Sequence, residues 1–224
     1  MLWLGGSSSV AQKEDEQPQL ELWQHRGIMA AMTDPDPLVW GEALDKLAEF
    51  NLETLTDDTE IPKNVYQQMT EILDANGYRP ATRAAAARTL GAMGEAAAAH
   101  APQLMALLAD PKTNFNVRTA AASALGAMGK AAAAHAPQLM ALLADPETNF
   151  GVRLWVASAL GAMGEAAAAH APQMGALLAD PETKFNVRVA AASALGAMDE
   201  AAAAHAPQLM ALLADPKTNF NVRT

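Results

Sequence analysis

The sequence contains no cysteine, which excludes a disulfide framework and thiolate chemistry and leaves a reducing cytoplasm as the simplest compartment. Basic residues are scarce: 15 Lys and Arg stand against 25 Asp and Glu, and no basic stripe breaks the deficit. Phosphate neutralisation by Lys and Arg supplies most of the affinity for nucleic acid, so that class of partner is excluded. The opening MLWLGG has no basic flank, and its apolar stretch is far too short for a signal peptide or a membrane span, so a soluble, cytoplasmic chain with no membrane partner is expected. Strand patterns are missing, and with them any glycine-rich phosphate loop that would follow a strand. Serine occurs at Ser7 to Ser9 and, inside alanine-rich stretches, at Ser123, Ser158 and Ser193, where small size explains it. No Ser-His-Asp set is identifiable. These absences point away from an enzyme and from any cofactor.

What is present is a repeat. GAMG, or its variant GAMD, starts at Gly91, Gly126, Gly161 and Gly196, and His100, His135, His170 and His205 follow in step. Repeats are held together by their neighbours, so a stacked array is expected in place of one central core. The in-phase histidines do not make a metal site. Neighbouring helices lie roughly 8 to 10 Å apart, whereas each ligand of a zinc ion must come within about 2.1 Å of it. One His per repeat therefore gives a row, not a cage. Met93, Met128, Met163 and Met198 read as core filling.

Each unit holds two helical patterns. In APQLMALLAD, Pro102 suits a first helical turn, Leu104, Leu107 and Leu108 share a face, and Asp110-Pro111 ends the helix. This is helix A. After the turn KTNF, Asn116 is the expected N-cap of helix B, whose core stripe is Val117, Ala121, Ala124, Leu125 and Met128. The EAAAA segment that follows Gly94 is expected to add a short extra turn.

The same template fits the earlier part more loosely, through Ile28, Ala31 and Met32 and then Val39, Ala43, Leu47 and Phe50. Three regions follow: a flexible leader at 1–19, a divergent first repeat at 20–61, and regular repeats at 62–224, the last incomplete. The final residues, Val222-Arg223-Thr224, fall where a helix B should begin. Solenoids need polar caps at their ends, so a longer array or end-to-end self-association is expected. The acidic excess lies in residues 1–90, with 15 acids and 7 bases. It reads as a solvated surface or a face for a cationic partner.

LLADPETNFGVRLWVASALGAMG has an Asp-Pro turn between two helices, a Val-Arg pair opening the second, and an Ala-Leu-Gly ending. On these residues the chain, from 20 onward, resembles HEAT-like repeat proteins, nearest to the short bacterial HEAT-like repeats also found in phycobilin lyases. The resemblance implies an all-α, right-handed α-solenoid of stacked antiparallel helix pairs with the B helices on the concave face. It implies a protein-interaction scaffold or regulatory arm that binds another protein there, with a phycobilin lyase or chromophore chaperone, or a self-assembling spacer, as alternatives. It also implies a ladder between successive repeats, in which Asp74, Asp110, Asp145, Asp180 and Asp215 meet Arg83, Arg118, Arg153, Arg188 and Arg223. In the first unit Trp40 stands where the Arg would be. The copies depart from the family in the added TNF or TKF of the turn and in an alanine-rich helix B.

One copy is unlike the others. VRLWVASAL at 152–160 places Leu154, Trp155 and Val156 where VRTAAASAL and VRVAAASAL keep mostly small residues. A helical wheel puts Leu154 opposite the core and Trp155 on its flank, as in a protein-binding hot spot. The competing reading is a volume exchange. Gly175 replaces the Met found at 105, 140 and 210, and Trp155 would fill the space it leaves.

Overall fold

A computed structural model describes residues 21–214, apart from 35, 51, 53–60, 62, 76, 199–202 and 204. The expected leader, together with Asp215 and Arg223, lies outside the described residues. Helices α1 (Leu22–Ala31) and α2 (Pro37–Leu47) form a first pair, and α3 (Lys63–Asp74) and α4 (Pro80–Ala92) a second. Then come α5 (Ala101–Ala109) with α6 (Phe115–Ala127), α7 (Ala136–Ala144) with α8 (Phe150–Ala162), and α9 (Ala171–Ala179) with α10 (Phe185–Gly196). Helix α11 (Ala206–Ala214) packs beside α9 as the next helix A. Among the described residues there is no strand. The chain is an all-α solenoid.

Local chemistry sets each boundary. Helix α5 stops at Asp110, whose extended backbone (φ −72°, ψ 114°) is what a residue before proline adopts. Helix B begins earlier than the sequence suggests. Its N-cap is Asn114, not Asn116, and the Asn114 side chain accepts from the Asn116 N–H. Asn149 does the same for Gly151 and Val152, whereas Lys184 at the equivalent place makes no side-chain cap. Helices α4, α6 and α8 each run into a glycine with positive φ, at Gly94, Gly129 and Gly164, a conformation disfavoured in residues that carry a Cβ. The alanine-rich segments continue from these glycines as 3-10 helices, EAAAA within Gly94–His100 and Gly164–His170 and KAAAA within Gly129–His135.

The core lies between the A and B rows. Helix α5, with Leu104 and Leu108, packs on α6, with Val117, Ala121, Ala124 and Leu125, and these residues and Met128 at the C-cap of α6 are all buried. Consecutive B helices pack along their length, whereas consecutive A helices touch sparingly. The reason is side-chain size. A Cβ on Gly91 would lie 2.6 Å from the Ala124 Cα, and one on Gly126 would lie 2.8 Å from the Ala159 Cα. Glycine and alanine draw the B helices together, while the bulkier A helices splay. The B row is thus the inner, concave side.

Candidate functional site

The turn residues come first, because they fix the mouth of each repeat. Asp110, Asp145 and Asp180 fold back on their own turns. Each carboxylate accepts a backbone N–H two residues on and a threonine hydroxyl three residues on: Lys112 and Thr113, Glu147 and Thr148, Glu182 and Thr183. These bonds hold the Asp145 carboxyl below the usual carboxylate range, the Glu147 N–H being the largest cause. The arginines face the other way. Arg83 donates to the Leu73 carbonyl, Arg118 to the Leu108 carbonyl, and Arg153 to the carbonyls of Asp145 and Thr148. They satisfy carbonyls at the end of helix A, near the negative pole of its dipole, and, for Arg153, one in the turn that follows. Arg188 lies over the Phe185 ring at 5.9 Å.

The expected ladder is therefore drawn differently. The bonds of Arg83, Arg118 and Arg153 run to backbone carbonyls of their own repeats, and Asp110 and Asp145 act on Arg118 and Arg153 of the same repeat as nearby charges. Asp74 does reach the next repeat, accepting from Gln103 at 2.6 Å. Trp40 takes over the arginine's task, because its indole N–H donates to the Asp34 carbonyl at 2.6 Å.

The concave face holds a cleft of about 290 Å³ that spans three B helices. Helix α4 contributes Ala84 and Arg88, α6 contributes Asn116, Thr119 and Ser123, and Trp155 of α8 forms the far wall. Arg88 is the charged group of this lining, and it pairs with Asp45 of α2. Trp155 is 45% exposed, whereas its equivalents Ala85, Ala120 and Ala190 are buried.

Leu154 and Trp155 exchange the places that the helical wheel gives them. Leu154 is half-buried and packs against the core, and Trp155 is the exposed one. A wheel with one core direction misplaces them, since a B helix is covered on three sides, by its own helix A and by a B helix on either flank. Trp155, Ser158 and Ala162 remain open. Nor does Trp155 fill the space at Gly175. A Cβ there would lie 2.3 Å from Nδ1 of His205, so it is His205 that leans into the vacancy.

Sequence reasoning missed Phe115. It is 47% exposed at the start of α6, and its ring rests on α8 at Gly151, where a Cβ would meet the ring at 2.9 Å. The signal was available: Gly151 replaces the Asn found at 116 and 186.

The histidines sit between A helices. His100 stacks on Tyr66 with its Nδ1 3.2 Å from the Thr70 hydroxyl, and His135 and His170 bond Gln138 and Gln173. Among the described residues, no group of three His, Cys, Asp or Glu side chains could hold a metal ion. No described helix is long and apolar enough to cross a membrane.

The family of HEAT repeats matches residues 66–149. No curated protein matches in sequence. Among solved structures, an engineered protein that was a target of the Northeast Structural Genomics Consortium is similar in fold. Its TM-score is 0.52 at 19% identity, over 89% of this chain and 92% of that one. The matched segment, residues 66–149, is a stretch of HEAT repeats inside an all-α solenoid whose helix pairs continue on both sides of it.

Proposed function

We propose that the chain is a non-catalytic, cytoplasmic scaffold that holds another protein on its concave B-helix face, with Trp155 as the anchor. One observation carries the reading: a tryptophan 45% exposed in the cleft, at a position where the neighbouring repeats bury alanine. Large exposed aromatics beside small polar groups are enriched at binding hot spots. Leu154, the other residue of the expected hot spot, packs on the core. HEAT repeats in general serve as scaffolds for protein interaction.

Affinity capture from a cell lysate, run on the native chain and on Trp155→Ala, tests this reading. Selective loss of a captured protein with helicity and thermal unfolding retained is the expected result. Identical capture by both overturns it. Light scattering over a concentration series checks the self-assembling alternative, which requires the molar mass to rise with concentration.

A further inference from the structure

Two departures of the 126–160 copy, Gly151 and Trp155, act on one seam. Gly151 and Trp155 are four residues apart, on one face of α8 and about 6 Å apart along its axis. Gly151 gives the Phe115 ring its seat, and Trp155, one turn further along, lines the same cleft as Asn116 and Thr119 of α6. Two half-exposed aromatic rings therefore flank the same α6–α8 seam. From that seam the concave face runs over alanine and small polar residues to α2, where Glu42 and Asp45 are exposed. Asp45 is taken by Arg88. Glu42 has no hydrogen-bond or ion-pair partner among the described residues. The groove thus has an aromatic end and an end with one uncompensated negative charge.

We propose, on the reading that the concave groove is the binding face, that its occupant is an extended segment of a partner protein with two anchors. A large apolar side chain of that segment seats at Phe115 and Trp155, and an arginine or lysine pairs with Glu42. Three interhelical steps of roughly 8 to 10 Å separate α8 from α2, and an extended chain spans about 3.3 Å per residue. Because the cleft that Trp155 bounds extends to Ala84 and Arg88 of α4, the two anchors should be about five to seven residues apart. Charge complementarity fixes the sign of the second anchor.

An array of nonapeptides probed with the labelled full chain tests this. Each peptide carries one phenylalanine and, three to eight residues away, Arg, Gln or Glu, in an otherwise alanine and serine background. The expected result is at least tenfold stronger binding of the Arg peptides at spacings of five to seven than of the Glu peptides. Glu42→Gln should remove that preference. Gly151→Asn, the residue of the neighbouring copies, should weaken all the peptides alike by displacing Phe115. Binding lost in Trp155→Ala but indifferent to Arg, Gln or Glu overturns the basic anchor while sustaining the concave groove. Binding untouched by Trp155→Ala overturns both readings, and so does the absence of binding by any peptide.

Discussion

Gly175 is an interruption in an otherwise constant helix A, and His205 marks its cost. Met105 and Met140 are buried at the equivalent position. In the Met105 repeat the following histidine, His135, turns out to bond Gln138, whereas His205 occupies the vacancy with its Nδ1 buried and unpartnered among the described residues. Gly175→Met therefore restores buried apolar surface, removes a glycine from a helix and releases a buried nitrogen. Urea unfolding should show a gain of about 1 kcal/mol or more. A loss of stability would show instead that the space is needed by its present neighbour. His100 is the other residue whose environment is legible in a bulk measurement. Burial between Tyr66 and Thr70 lowers its pKa, so the folded state binds its proton less readily than the unfolded chain does. The stabilising contribution is then full above the unfolded value of about 6.5 and is lost as pH falls from there through the folded pKa. Stability measured at pH 7.5 and at stepwise lower pH should decline over that window, and His100→Gln should flatten the decline.

At the scale of the helix, the caps separate copies that look alike. Asn149 accepts the Gly151 N–H at 2.8 Å, and Asn114 the Asn116 N–H at 2.9 Å, while α10 starts at Lys184 without a side-chain cap. Lys184→Asn should add about 1 kcal/mol to stability, and Asn149→Ala should remove a similar amount, both read from urea midpoints at constant slope. The Lys184–Glu147 pair lost in the first variant is 3.9 Å long and largely exposed, and it offsets little of the gain. These elements also show what the sequence could reveal. Helix pairs, their period and their Asp-Pro punctuation are written in local patterns, and all are present in the structure. The cap was misplaced by two residues because the turn spells Asn-Phe-Asn, and either Asn satisfies a local rule. The arginines could not be placed by pattern at all, since their acceptors are backbone carbonyls that no sequence displays. Leu154 and Trp155 were exchanged for a related reason: a helical wheel knows one core direction, and three neighbours cover each B helix.

Across the whole molecule, curvature follows from the contrast between the two rows. The B helices meet through Gly91, Gly126 and Gly161 against alanines, while the A helices stand far enough apart to leave a cavity of about 530 Å³ between α5 and α7, lined by Met105, Leu142 and His135. The concave cleft exists because the inner row is tight and floored with small residues, so the geometry of the proposed site depends on these glycines. Gly126→Ala places a Cβ 2.8 Å from the Ala159 Cα and 3.3 Å from the Cβ atoms of Ala159 and Ala162. Backbone cannot swing aside as a flexible side chain does, so α6 and α8 must separate. The expected loss is about 1 to 3 kcal/mol. In a solenoid, stability is close to a sum of repeat and nearest-neighbour terms. Weakening one interface should therefore broaden the urea transition as the halves uncouple, and small-angle scattering should report a larger radius of gyration. Gly129→Ala is the matched control. It meets nothing within 4 Å and is strained only by its φ of +50°, a cost of about 1 to 2 kcal/mol with no change in scattering. If Gly126→Ala left the radius of gyration and the transition width as they are, glycine contacts would not be what sets the curvature, and the bulk of the A helices alone would have to account for it.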